Sequence, residues 1–138
     1  MNNEKFNASG CKDLTAYEAI KNVSKEEKLP FMPLIYICSP YSGDIRQNIE
    51  KATSYAKFAY ESGCIPVTPH LLFNFLSDEE PSERKVALHM DIVLMGKCQE
   101  VWVFGSKISA GMESEIDKAK QRRQKVRYFT EDFKEVDA

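Results

Sequence analysis

Three acidic residues lie where a carboxylate could take part in chemistry rather than only face solvent. Asp91 interrupts an apolar line in a predicted helix, with apolar residues at −4, +3, +4 and +7 from it. Glu113 and Glu115 lie in the first turns of a second predicted helix that follows Ser109. A carboxylate in apolar surroundings is costly unless it is paired or used. Asp91 and Glu115 together supply the two carboxylates that glycosyl-transfer chemistry employs.

Helical geometry distinguishes the two glutamates. At about 100° per residue, Glu115 lies beside the apolar line from Met112 to Ala119, whereas Glu113 lies farther from it. Ser109 is a good N-cap residue, and a strand, a small-residue turn and a helix N-terminus together present backbone N–H groups to a ligand. The alternative is that both glutamates only complement the helix dipole.

Alternating strand and helix patterns predict an α/β fold. The predicted strands are 34–38, 64–67, 101–104 and 126–129, the last being the final strand. The predicted helices are 45–62, 82–97 and one after 109, and the segment 69–76 is predicted to be a short, buried helix or turn. Short right-handed connections favour a Rossmann-like or flavodoxin-like parallel sheet of four or five strands, in the order 2-1-3-4, with helices on both faces. Ligands of such sheets bind at the switch point, between the loops 39–44 and 105–110.

Residues 1–33 are predicted to be an N-terminal extension with a short helix at about 15–23, and 34–138 to form the domain. The net charge of −2 gives no general attraction to nucleic acid or to an anionic membrane. No apolar run is long enough to span a membrane, and the polar start is not a signal peptide, so a cytoplasmic location is expected.

Motifs for metals and common cofactors are absent from the sequence. The cysteines form no Cys-x-x-Cys pair and the histidines no His-Glu-x-x-His pattern. Neither a phosphate-binding P-loop nor a Gly-x-Gly-x-x-Gly stretch occurs, which argues against a P-loop kinase and a dinucleotide dehydrogenase. The expected chemistry therefore needs no metal and no cofactor.

Several other side chains have two interpretations each. Tyr36, in the middle of the first strand, is either a core residue or a phenol that orients a carboxylate. His70 is either a ligand contact or a histidine whose hydrogen bonds the backbone satisfies. Arg46 and Lys107 either meet a phosphate or remain solvated surface charges.

The motifs Ile35-Tyr-Ile-Cys-Ser-Pro-Tyr-Ser-Gly43, Pro69-His-Leu, Met90-Asp91, Val101-Trp-Val-Phe-Gly and Ser109-Ala-Gly-Met-Glu-Ser-Glu-Ile-Asp-Lys-Ala119 resemble those of the nucleoside 2-deoxyribosyltransferase-like superfamily. The closest likeness is to its small bacterial and phage branch, over about 34–129. The resemblance implies cleavage or transfer of the N-glycosidic bond of a (deoxy)nucleoside or nucleoside monophosphate.

The resemblance also implies roles for individual residues. Glu115 matches the nucleophile, Asp91 the aspartate of the preceding helix, and Tyr36 the tyrosine that touches the nucleophile, so these three are the expected catalytic residues. Ser109 matches a serine that contacts the 5′-phosphate in members that cleave nucleoside monophosphates. The full set expected to bind substrate is Ser39, Tyr41, Ser42, Gly43, His70, Gly105, Ser109, Gly111 and Met112.

Two departures from the family pattern affect the expectation. Gln99 stands where many members have a second aspartate, and Ser39-Pro-Tyr replaces a more glycine-rich loop. A non-catalytic protein that binds or senses a nucleotide or nucleotide-sugar is therefore the alternative. The apolar stretch 69–76 and the helix at 82–97 carry more apolar residues than one sheet face needs, which predicts a homodimer or a higher homo-oligomer.

Overall fold

A computed structural model describes residues 29–41, 43–77 and 79–137 of the chain, so the helix predicted at about 15–23 lies outside the described part. The elements in chain order are β1 (Leu34–Cys38), α1 (Ile45–Glu61), β2 (Ile65–Val67), α2 (Pro69–Leu72), α3 (Pro81–Met95), β3 (Glu100–Phe104), α4 (Ala110–Gln121), β4 (Lys125–Phe129) and β5 (Glu135–Val136).

The strands form one sheet in the order β2-β1-β3-β4-β5. The first four are parallel, which confirms the predicted α/β class and the order 2-1-3-4. The prediction that β4 is the last strand is wrong, because β5 pairs with it in the antiparallel direction. A strand of two residues is too short to give a period-two pattern, and a tight turn at 130–134 makes the pairing possible.

The alternation of side chains along β1 separates two apolar layers. Ile35 and Ile37 point to the layer covered by α1, whereas Tyr36 and Cys38 point to the layer covered by α3 and α4. β3 is buried along its whole length, as expected for a central parallel strand with helices on both faces. The layer covered by α3 and α4 contains the candidate functional site.

A buried ion pair lies in the layer covered by α1. Glu100 is 4% exposed and accepts a hydrogen bond of 2.9 Å from Trp102 Nε1. Arg127 lies 3.6 Å from the same carboxylate and binds Glu135 of β5 through two hydrogen bonds of 2.7 and 2.8 Å. The pair therefore ties β5 to the sheet.

The segment after β2 is a short helix followed by a turn, as predicted, but it is less buried than predicted. The helix α2 covers only 69–72, and the exposed fractions are 50% for Leu72 and 74% for Phe75. Apolar composition predicts that a segment tends to be covered, but it does not say by what, and no described element covers these side chains.

Candidate functional site

Glu115 occupies a core position of α4. The residues of this helix that are buried are Met112, Glu115, Ile116 and Ala119, which is the i, i+3, i+4, i+7 pattern of a helix face packed on a sheet. Glu113 is exposed. Ser109 caps the helix, since its Oγ accepts a hydrogen bond of 3.2 Å from Met112 N. Helical periodicity therefore distinguished the two glutamates correctly.

Two side chains of β1 donate hydrogen bonds to the buried carboxylate. The Tyr36 hydroxyl lies 2.6 Å from Glu115 Oε2, and Cys38 Sγ lies 3.3 Å from Glu115 Oε1. Both donors point at α4 because residues two apart along a strand share a face. Burial, with the nearby charge of Glu115, raises the pKa of Tyr36 and of Cys38 well above their ordinary values, so both stay protonated and act as donors.

Asp91 lies on α3 and lines the same cavity as Glu115. Its Oδ1 is buried and accepts no hydrogen bond from the part of the chain that the structure describes. Burial raises the pKa of Asp91 to about 7, and the negative charge of Glu115 adds to the rise. Asp91 is thus a carboxyl group that can be protonated near neutral pH.

The two carboxyl groups differ in the hydrogen bonds that they accept. Burial also raises the pKa of Glu115, but the hydrogen bonds from Tyr36 and Cys38 oppose that rise. Neutral donors stabilise the ionised form of the group that accepts from them, and a buried oxygen without a donor favours the protonated form. The hydrogen bonds therefore favour the ionised form of Glu115, whereas the unpartnered Oδ1 favours the protonated form of Asp91.

A cavity of about 210 Å³ lies at the carboxyl ends of β1 and β3, as the switch-point rule predicts. Beyond Asp91 and Glu115, the predicted residues that line it are Ser39, Tyr41, His70, Ser109, Gly111 and Met112. Tyr36 lies behind Glu115 rather than on the wall. The loops after β1 and β3 therefore meet where the sequence placed them.

Of the residues predicted to bind substrate, two do not line the cavity and one is not described. Gly105 has a positive φ of 97° and donates its N–H to Phe129 O, so it turns the chain beside β4, away from β1. Gly43 also has a φ of 97° and is exposed next to the α1 cap. Ser42 lies outside the described residues.

His70 and Ser39 form one wall of the cavity. His70 Nε2 lies 2.7 Å from the carbonyl oxygen of Ser39, which can only accept, so Nε2 carries a proton. Burial lowers the pKa of His70 despite the hydrogen bonds to the backbone of Ser39 and Pro40, which favours the neutral ring. The Tyr41 ring packs edge-on against the His70 ring at 4.9 Å. Ser39 Oγ is buried and has no hydrogen-bond partner among the described residues.

Sequence reasoning missed two polar residues of the site. Cys38 could have been found from the period of the strand, since it shares a face with Tyr36. Arg84 lines the cavity and lies seven residues, or two helical turns, before Asp91 on α3. Neither Arg46 nor Lys107, the two cations considered from sequence, lines the cavity.

The rest of the wall is mostly apolar. It includes Phe73, Leu76 and Leu88, with Pro69, Ser77, Ala87 and Ala110.

Within the described ranges, no group of three or more His, Cys, Asp or Glu side chains could hold a metal ion. No described helix is both long and apolar enough to cross a membrane.

Comparison with known proteins identifies a family for the segment that contains the four parallel strands. No curated protein matches the sequence. A family model described as "Domain of unknown function (DUF7768)" matches residues 33–129, which run from the residue before β1 to the end of β4. The chain therefore belongs to the DUF7768 family.

Proposed function

We propose that the protein cleaves or transfers the N-glycosidic bond of a (deoxy)nucleoside or nucleoside monophosphate. The observation that carries the proposal is the buried Glu115 carboxylate on the cavity wall, held at 2.6 Å by the Tyr36 hydroxyl, with Asp91 on the same wall. A carboxylate fixed by neutral donors and an adjacent carboxyl group that can be protonated are the two groups that such a displacement needs.

The proposed reaction retains configuration at the anomeric carbon. Glu115 attacks C1′ while the C1′–N bond breaks, and the electron pair of that bond leaves with the base, which takes a proton from Asp91. Water or a second base then attacks C1′, the bond between C1′ and Glu115 breaks, and Asp91 takes up the proton that the attacking water or base loses. Tyr36 stays protonated and orients the nucleophile.

Different residues of the cavity lining suit different parts of such a substrate. Phe73, Leu76 and Leu88 give an apolar wall on which a flat base can pack. Arg84 and the Ser109 hydroxyl lie at the N-terminal ends of α3 and α4, where helix dipoles and backbone N–H groups favour an anion. This polarity favours a substrate that carries a phosphate.

The alternative of a non-catalytic sensor depended on Gln99. Gln99 Oε1 accepts a hydrogen bond of 2.8 Å from Leu34 N, and Gln99 N donates to Leu34 O. These contacts lie at the amino ends of β1 and β3, opposite the cavity. Gln99 does not line the cavity, so an amide in place of a carboxylate at position 99 takes no group away from the cavity wall. The residue at position 99 therefore no longer favours a sensor.

The first prediction concerns Glu115. Glu115→Gln keeps the shape of the side chain but cannot attack C1′, so we expect release of free base to fall by at least about 1000-fold. The fold should be retained, because burying an amide costs less than burying a carboxylate. The measurement is chromatography of free base after incubation with a panel of nucleosides and nucleoside monophosphates.

Glu113→Gln is the matched control, because Glu113 is an exposed acid in the same helix turn. It should keep nearly full activity. A 2-deoxy-2-fluoro nucleoside should leave a sugar adduct on the peptide that contains Glu115. If the wild-type protein releases no base and forms no adduct with any member of the panel, the proposed reaction is wrong and a binding protein is the better explanation.

The second prediction concerns pH. Because the proposed acid must be protonated and its pKa is about 7, base release should fall as the pH rises through about 7. Asp91→Asn should be much less active and should lose this decline. The pH dependence of kcat/KM measures both effects, and an unchanged decline in Asp91→Asn would assign it to another group.

The same shift predicts a change in stability. The folded state binds a proton on Asp91 up to about pH 7, whereas an unfolded aspartate releases it near pH 4. Asp91 therefore destabilises the fold increasingly between these values, and Asp91→Asn should gain stability relative to wild type over that window. Urea unfolding at pH 4 and pH 8 tests the sign, with Asp117→Asn on the exposed side of α4 as the control.

The third prediction separates phosphorylated from free nucleosides. Ser109→Ala and Arg84→Met should each weaken binding of a nucleoside monophosphate by about tenfold or more, the size of a hydrogen bond to a charged group, and should change nucleoside binding little. Lys107→Met is the matched control, because Lys107 is an exposed cation that does not line the cavity. Titration calorimetry measures all three variants. Equal weakening for nucleoside and nucleotide would limit Ser109 to its role as a helix cap.

The fourth prediction is that the protein is at least a dimer in solution. Exposed apolar side chains lie on α2, on α3 and in the loop between them; they are Leu71, Leu72, Phe75, Val86, Leu88 and Val93. Such a surface favours association with a second copy. Phe75→Glu should shift the protein towards monomer in light scattering at micromolar concentration.

Leu29→Glu is the control, since Leu29 is 63% exposed and lies before β1, outside this surface. A wild-type monomer at micromolar concentration would contradict the prediction.

The cytoplasmic location expected from the sequence remains part of the proposal.

A further inference from the structure

The thiol of Cys38 is a polar group of the site to which the mechanism above gives no role. Its side chain is fully buried, and Sγ lies 3.3 Å from Glu115 Oε1. The Tyr36 hydroxyl lies 2.6 Å from the other oxygen, Oε2. The two oxygens of one carboxylate are therefore held by donors of different chemistry.

The two donors differ in strength. An O–H···O⁻ bond of 2.6 Å is a short, charge-assisted hydrogen bond, whereas a thiol is a weak donor. Negative charge on Oε2 is therefore bound more tightly than charge on Oε1. Oε1 is the better nucleophile of the two, and the thiol still fixes its direction.

We propose that Cys38 is a positioning residue for the glycosidic reaction proposed above, on which this inference rests, and that its thiol fixes Oε1 of Glu115 as the attacking oxygen. Oε1 forms the bond to the anomeric carbon as the C–N bond breaks. The electron pair leaves with the base, and the base takes its proton from Asp91. The thiol keeps its proton throughout, and because Cys38 is inaccessible it touches no substrate.

Packing alone would be the other reason to have a cysteine here, and the chain offers a matched control. Cys98 is a second free thiol, 7% exposed and in the same apolar layer as Cys38. Its Sγ lies 3.5 Å from the carbonyl oxygen of Leu94 in the preceding helix and makes no described hydrogen bond to Glu115. Truncating either thiol removes similar apolar volume, but only Cys38 donates to the carboxylate.

The primary test measures the pKa of Glu115 and does not require turnover. The carboxyl carbon of Glu115 is followed by ¹³C NMR during a pH titration, and Glu115→Gln assigns its signal. Cys38→Ala should raise the pKa of Glu115, because a hydrogen bond that opposes the effect of burial is lost. Cys38→Ser keeps a donor and should bring the pKa back towards the wild-type value, and Cys98→Ala should leave it unchanged. No rise in Cys38→Ala, or an equal rise in Cys98→Ala, would overturn the inference.

The second measurement is steady-state kinetics of base release. Cys38→Ala should lower kcat by about tenfold, because a carboxylate that is no longer held in the attacking direction reacts more slowly, with little change in KM, since the thiol does not touch the substrate. Cys38→Ser should recover part of the loss. An unchanged kcat in a folded Cys38→Ala variant would overturn the role in catalysis.

The two proposals fail in different ways. If the wild-type protein releases no base but Cys38→Ala still raises the pKa of Glu115, the proposed reaction fails while the control of Glu115 by the thiol stands. If the wild-type protein is active and neither the pKa nor kcat responds to Cys38→Ala, the reaction stands and the role of Cys38 is wrong.

Discussion

The burial of the Glu115 carboxylate is the constraint on which the arrangement of the site depends. A carboxylate on the packed face of a helix costs free energy unless donors reach it. Here the donors come from β1, and they reach α4 only because β1 lies next to β3 and because Tyr36 and Cys38 share the face that α4 covers. Strand order, strand alternation and helix periodicity must all agree for this one group to be satisfied.

The chain buries a second glutamate and treats it differently. Glu100, on the other face of the sheet, lies 3.6 Å from the guanidinium of Arg127 and accepts from the Trp102 indole. A carboxylate beside a cation is neutralised and serves to join elements, in this case β3, β4 and β5. The hydrogen bonds to Glu115 come from neutral donors, which hold the group in place without cancelling its charge. This difference marks Glu115 as the glutamate suited to chemistry.

Local sequence patterns were sufficient to predict the order of the parallel strands and to predict that Glu115 lies on the buried face of its helix. Helix periodicity placed Glu115 rather than Glu113 on the buried face, and the resemblance to a known superfamily supplied Tyr36 as its partner. The features that could not be predicted depend on how helices distant in sequence approach one another in the fold. The raised pKa of Asp91 needs α3 and α4 to meet over one cavity, and the contribution of Arg84 depends on which face of α3 turns towards that cavity. The exposure of Phe75 likewise depends on what covers it, which composition does not specify.

The apolar side chains of the cavity wall and those next to it connect the proposed oligomeric state with the choice of acceptor in the proposed reaction. The wall formed by Phe73, Leu76 and Leu88 borders the exposed side chains of Leu72 and Phe75. In the proposed oligomer, a second copy that covers these side chains would also reduce the access of water to the neighbouring cavity wall. In a dry cavity the glycosyl-enzyme persists until a base enters, whereas in an open one water is the more abundant acceptor. Within this proposal, the same apolar residues that favour association also favour transfer over hydrolysis, so the choice of acceptor is a property of the assembly rather than of Glu115 alone.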